Sequence, residues 1–159
     1  MSRGLTALCL ATMLLVGCQA GPQPLSRVNQ PLSRLGSSES PSLAGGWLAL
    51  ITSRQAGRPQ VQLIDVRRNA PVPVPGLNRA DSLPLSVAVD QNGERLALVR
   101  QRDDRSELLL YRRSLQATQM LAIEPAGVPR RVNLSADGRV LAVEVSRDGL
   151  WQVDLLELP

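Results

Sequence analysis

The chain has 159 residues, 43% of them hydrophobic, and a formal net charge of +4 from 18 arginines, no lysine and 14 carboxylates. It has no His and no Phe, and its two cysteines, Cys9 and Cys18, both lie near the N-terminus. The body of the chain therefore lacks an imidazole base, a thiol nucleophile, a disulfide and a Cys/His metal site, and its interspersed charges argue against a nucleic-acid partner.

Residues 1–18 read MSRGLTALCLATMLLVGC. Arg3 is followed by an apolar run of about a dozen residues, too short for a stable membrane-spanning helix. The run ends in Leu15, Val16, Gly17 and Cys18. This resembles the lipobox of bacterial lipoproteins: an aliphatic residue, a small or β-branched one, Gly or Ala, then Cys. The resemblance implies a signal peptide over residues 1–17, cleavage before Cys18, and acylation of Cys18 by fatty acids such as palmitate. It thus implies a membrane anchor in the bacterial cell envelope. In enterobacterial lipoproteins an Asp after the Cys favours the inner membrane, so Gln19 favours the outer membrane, with the protein facing the periplasm.

Residues 18–40 read as the lipidated Cys and a flexible tether. They are rich in Pro, Ser, Gln and Gly and hold a small tandem copy, QPLSRVN then QPLSRLG. Pro22, Pro24 and Pro31 oppose regular structure. As a random coil, the stretch after Cys18 spans roughly 26 Å r.m.s.. Docking of Leu25, Leu32 and Leu35 on the body is the alternative.

Three segments then align over residues 41–159. The first has Trp47-Leu48-Ala49-Leu50, a turn near Arg54 and Gly57, and Val61-Gln62-Leu63-Ile64-Asp65. The second has Asn92-Gly93, Leu96-Ala97-Leu98-Val99, Arg102-Asp103-Asp104 and Leu108-Leu109-Leu110-Tyr111. The third has Asp137-Gly138, Leu141-Ala142-Val143, Arg147-Asp148-Gly149 and Trp151-Gln152-Val153-Asp154. The Leu-Ala pairs and the arginines Arg54, Arg102 and Arg147 recur with a period in the mid-forties. Short strands at that period predict propeller blades. The Asp-Gly pairs at 137–138 and 148–149 predict two-residue hairpins with both glycines at positive φ. Residues 70–75 (APVPVP) predict an edge strand because prolines remove ladder donors, and residues 116–123 predict a second outer strand. No outer strand follows in the third unit. The expectation is an all-β fold: a partial β-propeller-like domain of about three blade repeats, roughly eleven antiparallel strands.

These units resemble TolB-type β-propeller repeats, whose pattern is Ser-Pro-Asp-Gly, a strand, a turn, and a strand ending in Asp. Ser135-Ala136-Asp137-Gly138 departs from it only in Ala for Pro. Asp90-Gln91-Asn92-Gly93 is a weaker copy, and residues 42–46 are weaker still. The resemblance implies an envelope protein built for binding or scaffolding, with no catalytic residues, cofactor or metal. Asp65 and Asp154 are expected to be turn residues ending the third strands. The stretch 90–94 suggests half a calcium loop but lacks further ligands at the required offsets, so a hairpin is expected. Arg54, Arg102 and Arg147 are the candidate partner-binding residues: they pair with nearby carboxylates or line one rim that would hold an anionic polymer.

The expected function is therefore a non-catalytic lipid-anchored envelope protein that binds or scaffolds another envelope protein or a cell-wall component. A carboxylate-dependent glycan hydrolase and a purely structural decayed propeller are the alternatives. The blade count suggests an envelope protein partner or self-association, because an arc of three blades leaves its terminal faces uncovered unless it curls into a compact body. A two-fold pair of chains would set the unit near Trp47 against the unit near Trp151 of its mate.

Overall fold

The computed structural model describes residues 21–54 and 57–159. The expected signal peptide and Cys18 lie outside the described residues. One short helix, α1 (Ser26–Leu32), precedes eleven strands: β1 (Ser37–Ala44), β2 (Trp47–Ser53), β3 (Gln60–Asp65), β4 (Ala70–Val72), β5 (Leu83–Val89), β6 (Arg95–Arg102), β7 (Arg105–Arg112), β8 (Ala117–Met120), β9 (Val128–Leu134), β10 (Val140–Arg147) and β11 (Leu150–Glu157). They form three antiparallel meanders ordered β1-β2-β3-β4, β5-β6-β7-β8 and β9-β10-β11. The expected architecture of three blades and eleven strands, the last blade three-stranded, is what the chain adopts.

The middle blade organises the packing. Along β6, Leu96 and Leu98 face blade 1, while Ala97 and Val99 face blade 3. Along β7, Leu109 and Tyr111 face blade 1, while Leu108 and Leu110 face blade 3. A strand buried on both faces reads as a continuous apolar run rather than an alternation. Blade 1 contributes Ala49, Ile51, Val61 and Leu63 to the first core. Blade 3 contributes Leu134, Leu141, Val143 and Val145 to the second.

Two hairpins are tight. Asp103 and Asp104, and Asp148 and Gly149, carry paired positive φ values of 48°, 60°, 50° and 79°, as the mirror-image turns that match strand twist require. The turn at Asp137-Gly138 is different. Gly138 has the expected positive φ, 72°, but β9 ends at Leu134 and β10 starts at Val140, so the connection spans five residues. Ser135 Oγ accepts the amides of Arg139 and Val140, and a side chain that satisfies two amides stabilises the longer loop. Asp90 Oδ1 does the same for Glu94 and Arg95 at 2.8 and 3.1 Å, which makes residues 90–94 a side-chain-capped loop.

The third unit is also registered differently from its sequence alignment. Leu48 pairs with Ile64, Leu96 with Tyr111 and Leu141 with Leu156. The counterpart of Asp65 is therefore Glu157. Asp65 ends β3 and accepts the amides of Arg67 and Arg68, as a turn residue does. Asp154 lies inside β11 opposite Val143, where its side chain is held by Arg147.

From Ser26 onward, the stretch expected to be a tether is ordered against the body. Seven residues are too few for a stable isolated helix, and α1 has no side-chain N-cap. Packing supplies what propensity does not: Val28 is buried, and with Leu32 and Leu35 it lies beside Ile64 and Pro71 on the outer face of blade 1. Pro31 has no N–H for the carbonyl of Arg27, four residues earlier. Asn69 Nδ2 donates to that carbonyl at 2.8 Å instead. Of the three leucines in the docking alternative, Leu32 and Leu35 lie against blade 1, whereas Leu25 stays 63% exposed.

Two glycines separate turn strain from collision. A Cβ on Gly149 would meet nothing within 4 Å, so only its φ of 79° opposes substitution, whereas a Cβ on Gly93, φ 63°, would be driven into the Trp47 ring. Gly149→Ala is expected to lower unfolding free energy by roughly 1–2 kcal/mol. Gly93→Ala is expected to cost clearly more, with both measured by urea denaturation.

Candidate functional site

The first strands β1, β5 and β9 lie side by side on the inside of the arc, and serines join them. Ser40 Oγ accepts the amide of Val87 at 3.1 Å and lies 3.3 Å from Ser86 Oγ. Ser86 Oγ in turn accepts the amide of Val132 at 3.2 Å, and Ser42 Oγ accepts that of Val89 at 3.1 Å. Each hydroxyl thereby satisfies an amide on the next blade. A bulge in every first strand re-aims the chain here: the register shifts between Glu39 and Ser42, between Pro84 and Ser86, and opposite Glu144/Val145.

These strands floor an open polar groove of about 620 Å³, with Glu39, Arg131 and Asn133 among its lining residues. Glu39 is its one lining carboxylate, so the groove lacks the facing acid pair that glycoside hydrolysis uses. Its serines accept backbone amides and have no imidazole to activate them. The groove can hold a polar ligand by hydrogen bonding, and nothing in it supplies a nucleophile.

The three candidate arginines occupy one repeat position, at the end of the second strand of each blade. Arg147 fits the pairing expectation. It forms an ion pair with Asp154, donates to Gln152 Oε1 at 3.0 Å, and donates from Nη2 to the carbonyl of Pro125 at 2.7 Å. Arg102 Nε lies 3.2 Å from Asp81 Oδ2 and 3.6 Å from Asp103. Arg54 is exposed just beyond β2. Arg102 and Arg147 thus tie the second strand to the loop entering their own blade, and no hydrogen bond among the described residues joins one of the three to another.

The face of blade 3 turned away from blade 2 is one of the terminal faces that the blade count left uncovered, although the sequence pattern did not name the residues on it. Trp151, Val153 and Leu155 on β11 are 50%, 68% and 72% exposed. By register, Val153 and Leu155 correspond to Val61 and Leu63 of blade 1 and to Leu108 and Leu110 of blade 2, all buried against the following blade. Glu144 occupies the place of Ile51 and Val99. It pairs with Arg130 at 2.7 Å, and the Arg130 guanidinium lies 4.1 Å from the centre of the Trp151 ring. Arg130 is the extra residue of the β9 bulge. The face is therefore an apolar stripe crossed by a charged cluster. The signal that would have found it is the strand register, which places Val153 and Leu155 on one side of β11 and Asp154 on the other.

Three comparisons bear on this architecture. No family model matches the chain, and no curated protein matches it. Among solved structures it is similar to TolB from Acinetobacter baumannii, with a TM-score of 0.57 and 17% identity. That similarity covers 74% of this chain and 29% of the TolB chain, so the present chain spans under a third of that protein's length. The chain has a TolB-like β-propeller fold.

The arginine pairs make the entry loops sensitive to acid. The two-pronged hydrogen bond from Arg79, and after it the nearby charge of Arg102, hold the Asp81 carboxyl down at about 2. Arg147 likewise lowers Asp154. A carboxyl depressed in the folded state stabilises the fold above its unfolded pKa of about 4, and that contribution is lost as pH falls through the folded value. The stability difference between wild type and Asp81→Asn is expected to shrink between about pH 4 and pH 2, read from urea midpoints at each pH.

Proposed function

We propose that this is a non-catalytic, lipid-anchored protein of the bacterial cell envelope that binds or scaffolds another envelope protein or a cell-wall component. The observation carrying this reading is the open face of blade 3. An exposed contiguous apolar patch marks an interaction surface more often than a bare one. Glu144 and Arg130 refine it. A charged pair buried permanently under a further blade would carry a desolvation cost that its Coulomb attraction often fails to recover. On a separable interface the pair is hydrated whenever the face is free, and it sets orientation when a partner docks. The occupant favoured here is a protein with an apolar ridge and polar flanks. The ring of two chains is less favoured, because α1 already covers the outer face of blade 1 that the ring would need.

The Leu15, Val16, Gly17, Cys18 motif supports the anchor, through Cys18, and Gln19 supports an outer-membrane address facing the periplasm. Cys18→Ala is expected to abolish incorporation of a fatty-acid analogue and to leave unprocessed precursor. Label retained by that variant would count against the anchor.

A photo-crosslinking residue at Val153 is expected to capture a discrete partner band in cells, and one at Arg68, on the far blade, is not. Val128→Asp, at the edge of the same face, should weaken the band at least several-fold while leaving the melting curve unchanged. Equal labelling from both positions, or none from Val153, would contradict a partner on this face.

A further inference from the structure

Blades 1 and 2 each have a fourth strand, and blade 3 has none among the described residues. β4 pairs with β3 and β8 with β7 in one register. Val72 lies opposite Leu63 and Gln119 opposite Leu110, with Ala70 opposite Asp65 and Ala117 opposite Arg112. The corresponding places on β11 are Leu155 and Glu157. Both fourth strands also contribute to the core between their blade and the next, through Val72 and Val74 in blade 1 and through Leu121 and Ile123 in blade 2.

The free edge of β11 is arranged to pair in the same way. The Leu121 amide donates to the carbonyl of Leu108 at 2.8 Å, so Leu108 turns its backbone groups toward the fourth strand. Val153 holds that place in blade 3. On the other side, the Leu158 amide donates to the carbonyl of Arg139 at 2.7 Å. The even-numbered residues of β11 therefore face β10, and Val153, Leu155 and Glu157 present their N–H and C=O groups to the open edge. Such a row is a template for another strand. Charge restricts what that strand is. β11 reads LWQVDLLE, with two carboxylates and no basic residue. Asp154 is held by Arg147, and Glu157 is exposed. Pairing with β11 of a second copy would join two acidic strands, whereas a basic residue opposite Glu157 gains a favourable cross-strand pair.

We propose that a partner protein supplies the fourth strand of blade 3. Its segment is short and extended and pairs antiparallel with β11. It carries a basic residue opposite Glu157 and an aliphatic residue opposite Val153. β4 and β8 provide the pattern: each has a small residue at the first place, Ala70 or Ala117, and an aliphatic one further along, Val74 or Leu121. Main-chain hydrogen bonds supply the attachment, and the alternate side chains supply the choice of partner. The aliphatic side chain continues the stripe of Val153 and Leu155. This mode of binding rests on the partner face proposed above and adds how that face is engaged.

The probe is a peptide of the chain's own residues 116–123 carrying Ala117→Arg, titrated into the ¹⁵N-labelled full chain in detergent and followed by amide NMR. Saturable shifts are expected at Val153, Leu155 and Glu157, with hydrogen exchange at Val153 and Leu155 slowed at least about tenfold at saturation. The unsubstituted peptide is expected to bind about two- to fivefold more weakly. Leu155→Pro removes an outward N–H without touching the β10 ladder and should abolish binding, while Leu155→Ala keeps that N–H and should bind. Glu157→Lys, at an exposed position, should reverse the preference between the two peptides. In cells, the band captured from Val153 should disappear with Leu155→Pro and persist with Leu155→Ala. A band that survives Leu155→Pro leaves a partner on the face and overturns strand addition. The proposal is also overturned if the peptide causes no saturable shift in β11. It fails equally if those amides are already protected in the free chain and the chain sediments as a dimer, which would put a second copy on the edge.

Discussion

The fold depends on two apolar cores that share one sheet. β6 and β7 send alternate side chains to opposite neighbours, so Leu96, Leu98, Leu109 and Tyr111 hold blade 1 while Ala97, Val99, Leu108 and Leu110 hold blade 3. A one-residue slip in a sheet buried on one face turns its apolar set toward water. In this sheet a slip would exchange two apolar sets of different size, pushing Leu and Tyr into the space fitted to Ala. Register in the middle blade is therefore specified by side-chain volume as well as by hydropathy. Blade 3 leaves one face open, whereas blade 1 also buries Leu50, Thr52 and Ile64 outside the shared core, and both rest on this sheet.

The ends of the arc are finished in opposite ways. At blade 1, α1 lays Val28 beside Ile64, so the second QPLSR copy belongs to a docked element while the first begins ahead of the helix. At blade 3, Val153 and Leu155 stay open beside the Glu144 and Arg130 pair. Between the ends, the serines of β1 and β5 satisfy amides on the next blade, so β5 and β9 offer fewer unpaired donors to a foreign strand, a known liability of sheet edges. β11 is an edge strand with no such cover among the described residues.

Much of this was legible in the sequence because it is carried by local pattern. Continuous apolar runs at a mid-forties period, Asp-Gly turns and proline-bearing edge strands yield blades, hairpins and outer strands without tertiary information. What was not legible depends on partners distant in sequence. Pro31 argues against a helix until Asn69, 38 residues away, takes the orphaned carbonyl. Asp154 resembles Asp65 by sequence alignment, and only the pairing of Leu141 with Leu156 shows that it lies inside a strand. Arg54, Arg102 and Arg147 share a repeat position, yet that position gives no indication that Arg147 would reach back to Pro125.

Under the anchor proposed at Cys18, the docking of α1 would also set how far the body stands from a surface. With the helix in place, residues 19–25 lie between Cys18 and α1, a leash whose reach could not exceed about 25 Å even fully extended. Seven helical residues anchored by one buried valine open at much lower free energy than the blades they cover. Each opening adds the helix and the segment up to β1 to the leash, lengthening its maximum to roughly 60 Å. An anchor at Cys18 would thus give the body two working distances from the membrane, exchanged by local unfolding of about two helical turns while both cores stay closed.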